Sequence, residues 1–256
     1  MSSFTTISNA SALVVGANRG IGLEFVRQLL ERLEFNRIFA TYRQADASAT
    51  LLDWSARHPD RLHCLKLDPT VEPEIEAGVR AIQSATPKLH LAINCVGFLH
   101  DDTVRPEKSL RQIDAVQLAR YFEVNSITGI VLAKHLFPLL KHGDRSVFAS
   151  LSAKLGSIGD NGLGGWYGYR ASKAALNMFV RTAAIEYRRK RSRAILVTLH
   201  PGTTDTRLSK PFQSNVPPEK LFSVERTARQ LLSVIDGLED ADSGHFFSWD
   251  GSRLPW

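Results

Sequence analysis

Tyr169 and Lys173 stand four positions apart in Tyr169-Arg170-Ala171-Ser172-Lys173, a spacing that puts both side chains on one face at the start of a helix. A phenol with a pKa of about 10 is a reluctant proton relay near neutrality. An ammonium beside it favours the phenolate. At ~4 Å and an effective dielectric of ~20 the attraction is about 4 kcal/mol, an upper bound of about three pKa units. The pair is thus a candidate general acid/base tuned toward the operating pH. Taken alone it is a weak signal, since exposed helices carry many such pairs. Tyr167 is the internal control, because the residue four places on is Ala171. Upstream, an apolar run ends in Ser150-Leu151-Ser152. The Ser152 hydroxyl can bond a carbonyl oxygen beside the tyrosine, or satisfy local backbone groups. Asn125, in Phe122-Glu123-Val124-Asn125-Ser126, falls mid-helix, where its low helix propensity points to a polar task.

A second group is built for phosphate. The run Gly16-Ala17-Asn18-Arg19-Gly20-Ile21-Gly22 follows an apolar stretch and precedes a helical one. Glycines permit a sharp turn and close approach of a pyrophosphate, and the helix N-terminus supplies N–H donors. The spacing Gly-x-x-x-Gly-x-Gly differs from the common dinucleotide fingerprint, and a purely structural turn is the competing reading. Enzymes that select NAD place a carboxylate at the end of the second strand. Here that strand ends Ala40-Thr41-Tyr42-Arg43, without an acid. Arg43 is either a surface arginine or one arm of a fork for a 2′-phosphate, joined by Arg19. The lack of an acid favours NADP(H). The nearest one, Asp46, is read as a cap for the next helix.

These residues need elements to hold them. Apolar runs at Ala12–Val15, Arg37–Thr41, Leu62–Leu67, Leu89–Asn94, Ser146–Leu151, Ala194–Leu199 and His245–Phe247 read as strands. Helical patterns fall at Gly22–Leu33, Val71–Ser84, Ser109–Leu140 (with a break near Pro138), Tyr169–Arg191 and Val224–Leu238. Strands rich in Val, Ile and Leu without polar alternation imply burial on both faces. The βαβα order predicts a doubly wound α/β Rossmann sandwich of three layers around a mostly parallel, seven-stranded sheet. Ligands of such sheets lie beyond the carboxyl ends of the strands, where every motif above falls.

The chain has 256 residues, 43% hydrophobic and 23% charged, with no linker, repeat or low-complexity stretch. It reads as one dinucleotide-binding domain over 1–256. The stretch 204–222, broken by prolines and lysines, reads as a lid over the substrate. Leu163, Trp166, Phe212 and Phe222 are candidate apolar walls or core packing. Cys64 and Cys95 lie in apolar runs and read as buried thiols of a reducing compartment. Residues 1–10 lack a leader's charge and apolar pattern, and no apolar run nears the ~20 residues of a membrane helix, so the expected location is cytoplasmic. The formal charge is +6. Its densest basic run, Arg188 to Arg193, ends a helical pattern where cations oppose the dipole. No nucleic acid, membrane or metal is expected as a partner; the partner is a small carbonyl compound, and a homodimer is possible through the long helices.

The whole set, in this order along essentially the entire chain, resembles the short-chain dehydrogenase/reductase family, and within it the sniffer/C-signal carbonyl-reductase-like branch. The branch is marked by Leu155-Gly156-Ser157-Ile158, by Gly164 through Asn177, by His200-Pro201-Gly202, and by Trp249-Asp250-Gly251 with Leu254-Pro255-Trp256. The resemblance implies that Tyr169 protonates the carbonyl oxygen, Lys173 lowers its pKa and holds the nicotinamide ribose, Ser152 orients the carbonyl, and Asn125 holds a relay water. It further implies that Asp68 contacts adenine, Asn94 and Gly97 shape the fourth strand's end, and Thr203 after Pro201-Gly202 meets the nicotinamide amide. Two departures stand out. The usual Asn-Asn-Ala-Gly reads Asn94-Cys95-Val96-Gly97, and Ser152 lies further from Tyr169 than the common spacing. A loop over Gly159 to Gly165 takes up the difference, with Ser157 as the fallback serine. Ketones, aldehydes, dicarbonyls and quinones all remain open as substrates. The alternative to a reductase is a cofactor-binding signalling protein with little turnover.

Overall fold

The computed structural model describes residues 4–256; the first three, part of the 1–10 segment read above, lie outside the described residues. Seven strands form one sheet: β1 (Ala10–Val15), β2 (Phe35–Tyr42), β3 (Leu62–Lys66), β4 (Leu91–Asn94), β5 (Val147–Leu151), β6 (Ile195–His200) and β9 (Phe246–Ser248). Their order is β3-β2-β1-β4-β5-β6-β9, and every pairing between neighbours is parallel. Strands β1, β4 and β5 are buried at every position, which explains their lack of polar alternation.

Helices cover both faces. On one, Phe25, Val26 and Leu29 of α1 (Gly20–Glu31) and Leu231, Leu232 and Ile235 of α7 (Val224–Gly237) pack on the sheet. On the other lie Ile75, Val79 and Ile82 of α3 (Glu72–Ala85), Leu132 and Leu136 of α5 (Thr128–Leu140), and Leu176 and Val180 of α6 (Tyr167–Arg189). Strand order reverses at β1, which pairs with β2 on one side and β4 on the other. The crevice beyond the carboxyl ends of β1 and β4 is therefore the place for a ligand.

The structure corrects several readings. The helix expected after Asp46 is α2 (Ala49–Arg57); it follows a tight turn over Asp46–Ser48, and neither Asp46 nor Ser48 caps it through its side chain. The long pattern Ser109–Leu140 is not one helix broken near Pro138. It is a short turn at Leu110–Gln112, α4 (Ala115–Phe122), one π-helical turn at Glu123–Ile127, and α5 running through Pro138. The wider π turn shifts the hydrogen-bond register in mid-helix, which the apolar periodicity did not show. Two further strands, β7 (Thr203–Thr204) and β8 (Leu221–Phe222), pair parallel to each other. They tie together the two ends of the stretch read as a lid.

Candidate active site

The glycine turn opens the site. After β1 the chain passes through Gly16 and Gly20, both with positive φ (80° and 56°), where L side chains are strained. A Cβ on Gly22 would overlap the Gly16 carbonyl, so the turn closes tightly only with glycine there. The Gly16 N–H donates to Thr41 Oγ1 at 3.0 Å, and Asn18 Nδ2 donates to Ala47 O at 3.4 Å, fixing the turn against β2 and the Asp46–Ser48 turn. Ile21 tucks against the core. Helix α1 has no side-chain cap, so its leading amides are free for an anionic group.

At the edge of this turn three arginines gather. Burial lowers the Arg19 guanidinium's pKa from its ordinary value, and the positive charges of Arg207 and then Arg43 add to that shift. Arg43 makes a long ion pair with Asp68, 3.6 Å. Burial raises the Asp68 carboxyl, but hydrogen bonds from Thr70 and the Arg43 charge outweigh it and hold it below the ordinary carboxylate value. The two residues that the sequence assigned to opposite ends of an adenosine moiety thus touch each other. Arg207 was missed, since nothing in its local pattern marks it. An uncapped helix, a glycine cradle and three convergent arginines fit a dinucleotide carrying an extra phosphate.

The catalytic candidates meet beyond β4 and β5. Tyr169 (7% exposed) and Lys173 (3%) are buried on the first turns of α6. Lys173 Nζ donates to Leu151 O at 2.9 Å and lies 5.9 Å from the Tyr169 ring centre. Burial lowers the Lys173 pKa to about 8. Burial also pushes the Tyr169 phenol above its ordinary value, the opposite of the direction expected from the Tyr/Lys pair. Here the ammonium is engaged by a carbonyl and the ring is desolvated, so loss of water outweighs the attraction.

Asn125 sits in the π turn, 1% exposed. Its Oδ1 accepts the Phe98 N–H at 2.7 Å, and its Nδ2 donates to Phe98 O at 2.8 Å and to Ser172 Oγ at 3.0 Å. The odd asparagine therefore clamps the segment after β4 to α6. Gly97 is the meeting point: a Cβ there would lie 3.7 Å from Lys173 Nζ, 3.8 Å from Asn125 Oδ1 and 3.9 Å from Leu208 Cδ1. Asn94 closes the end of β4, accepting the Val96 N–H at 3.1 Å. Ser152 Oγ is buried without a hydrogen-bond partner among the described residues, whereas the fallback Ser157 accepts the Asp160 N–H. A buried hydroxyl left unpaired costs stability unless a ligand completes it, which favours Ser152 as the serine of the site.

Beyond β6, Pro201 and Gly202 lead into the small β7–β8 sheet. Gly202 has φ of 73°, and a Cβ on it would press on the Phe222 ring at 2.6 Å. Phe222 is packed under Gly202 and edge-on to Trp249 at 4.9 Å, so it is core. Thr203 is exposed; Thr206, missed from sequence, lies against Gly20. The Trp166 and Phe212 rings lie 4.7 Å apart, and Trp166 stands edge-on to Tyr169 at 6.3 Å, so both sit beside the catalytic candidate. Leu163 is 93% exposed and touches none of this.

At the opposite end of the strands, His90, His142 and Asp144 come within ligating distance of one another. His90 Nδ1 accepts the Ser11 N–H at 3.1 Å, so a neutral ring presents Nε2–H and no lone pair to the group. Lys88 already holds Asp144 at 2.7 Å. The His90 Nε2 and His142 Nδ1 atoms lie 3.7 and 4.0 Å from the same Asp144 oxygen, beyond hydrogen-bond reach.

Comparison with known proteins agrees with this geometry. NADPH-bound carbonyl reductase from chicken fatty liver superposes with a TM-score of 0.86 at 28% identity, covering 98% of this chain and 100% of that one. Carbonyl reductase Sniffer of D. melanogaster gives 0.85 at 26% identity, covering 97% and 100%. C-signal of Myxococcus xanthus is 34% identical over 148 residues, 58% of this chain and 84% of that protein. The sequence profile of the short chain dehydrogenase family matches residues 10–217, and the chain belongs to that family of oxidoreductases.

Proposed function

We propose that this protein reduces a carbonyl compound to an alcohol with NADPH, using Tyr169 as the general acid. The observation that carries the reading is the meeting of Lys173 and Asn125 at Gly97, with Lys173 Nζ 5.9 Å from the Tyr169 ring centre and bonded to Leu151 O, next in the chain to a Ser152 hydroxyl that nothing among the described residues satisfies. When bound, the dihydronicotinamide supplies the hydride. Ser152 holds the carbonyl oxygen, and the Tyr169 phenol gives that oxygen its proton. A phenol pushed up by burial is fully protonated at neutral pH, the state an acid needs. Lys173 Nζ, close to the Tyr169 ring, stabilises the phenolate left behind and binds the ribose, exchanging the Leu151 carbonyl for it. Asn125 keeps the backbone after β4 in place. The arginines at positions 19, 43 and 207 select the 2′-phosphate. Trp166 and Phe212 exclude water from the reacting carbon, with 204–222 as their lid. The single domain and cytoplasmic location expected from the sequence belong to the same proposal, and the homodimer stays open as the sequence left it; no helix among the described residues is long and apolar enough to cross a membrane.

The test follows oxidation of NADPH and NADH by absorbance with reactive ketones, aldehydes, dicarbonyls and quinones, for wild type and Tyr169→Phe. Turnover selective for NADPH that falls at least a thousandfold in the variant is expected. Tight NADPH binding by both proteins with no turnover of any carbonyl would instead favour the signalling role suggested by the kinship with C-signal.

A further inference from the structure

Helix α6 carries both catalytic candidates, yet its start has no local cap. The residue before it, Trp166, is in the left-handed region with φ of 54° and contributes no side-chain hydrogen bond. A tryptophan pays for that conformation in strain. A helix N-terminus also leaves its leading N–H groups without partners.

The missing partners come from Glu107, 61 positions before Gly168, in the loop between β4 and α4. Glu107 is 1% exposed. Its backbone carbonyl accepts the Trp166 N–H at 2.5 Å. Its carboxylate Oε2 accepts the Gly168 N–H at 3.2 Å. The other oxygen, Oε1, accepts a hydrogen bond from Gln117 Nε2 at 3.2 Å, and that same nitrogen donates to Arg105 O at 2.9 Å. Among the described residues no lysine or arginine forms an ion pair with Glu107. A buried carboxylate is costly without such a partner. Its placement is explained by the positive end of α6, which favours an anion at this point.

The contact also depends on Gly168. A Cβ there would overlap the Tyr121 ring and come within 2.9 Å of Leu118 Cδ2, so α4 can lie against the start of α6 only because position 168 is bare. Tyr121 is itself held by a 2.6 Å bond from its hydroxyl to Leu99 O, and its ring stands edge-on to Tyr169 at 6.5 Å. Glu107 therefore grips α6 on both sides of Tyr167. One bond fixes the backbone that aims the Trp166 wall; the other fixes the turn from which Tyr169 projects.

We infer that Glu107 is a positioning residue for the reaction, a long-range cap that sets the first turn of α6 so that Tyr169 and Trp166 face the substrate together. The inference rests on the reductase reading above. It predicts an effect on turnover rather than on cofactor affinity, because the glycine turn and the arginines lie on other elements.

The experiment compares wild type, Glu107→Ala and Glu107→Gln as full chains. It measures hydrogen–deuterium exchange over 166–170, NADPH affinity by fluorescence, and kcat and KM for the carbonyl that wild type reduces best. In Glu107→Ala, exchange over 166–170 should quicken at least tenfold and kcat should fall at least tenfold. The carbonyl KM and the NADPH Kd should each change less than threefold. Glu107→Gln keeps an acceptor oxygen for the Gly168 N–H and should recover at least half of the wild-type kcat. Wild-type exchange and kcat in Glu107→Ala would overturn the inference. So would a loss of NADPH affinity as large as the loss of kcat, or a glutamine variant no better than alanine. A wild-type protein that reduces no carbonyl would sink the reductase reading by itself, and the exchange difference alone would then decide for or against the cap.

Discussion

The two catalytic candidates of α6 are tuned by their removal from water. Lys173 shows the consequence most directly, because burial brings its pKa from 10.5 to about 8. Between those two values the unfolded chain binds more protons than the folded one, so this residue's contribution to stability rises with pH across the window. The full effect of a shift that size is about 3 kcal/mol. Chemical denaturation of wild type and Lys173→Met at pH 7 and pH 10 should therefore show the difference in unfolding free energy moving in wild type's favour by up to that amount as pH rises. A difference that stays flat would mean that Lys173 is not desolvated in solution as it is here. Tyr169 shifts the other way for the same reason. The sequence argument considered only the attraction between the two groups, because charge and spacing are visible in a string of residues and burial is not.

Among the elements, the glycine turn between β1 and α1 leaves the least freedom. Gly22 faces the Gly16 carbonyl so closely that no side chain fits, and backbone cannot give way as a flexible side chain would. Gly22→Ala should cost about 1–3 kcal/mol of stability, as overpacking typically does. It should also weaken NADPH binding at least tenfold, readable by thermal melting and by fluorescence titration. Unchanged affinity would detach the turn from cofactor binding. The π turn at Glu123–Ile127 teaches the complementary lesson. Its asparagine was marked in the sequence as out of place, and the structure gives the reason: the widened turn lets Asn125 reach Phe98 and Ser172 together. The same widening hid the true course of the 109–140 segment, since apolar periodicity reports which face is buried and not which carbonyl each N–H meets.

The sheet joins the ends of the chain, with β1 near one terminus, β9 near the other, and the crevice where strand order reverses. Strand β9 pairs with β6, and the proposed single domain carries a definite expectation for unfolding. Thermal unfolding followed by far-ultraviolet dichroism and by tryptophan fluorescence should give one coincident transition. Two separated midpoints would mean that the C-terminal segment unfolds by itself. The parallel order, the glycine turn and the Tyr169/Lys173 pair were legible along the chain, because each is a local pattern of burial period, backbone freedom or helical spacing. The meeting of Glu107 with Gly168, of Arg207 with Arg19, and of Thr206 with Gly20 was not. These partners are far apart in sequence or lie in loops without periodicity, and only the packing of α4 and the tied 204–222 segment against the crevice brings them together. The direction of the tyrosine's shift belongs with them, because desolvation depends on everything packed around a group and no short stretch of sequence records it.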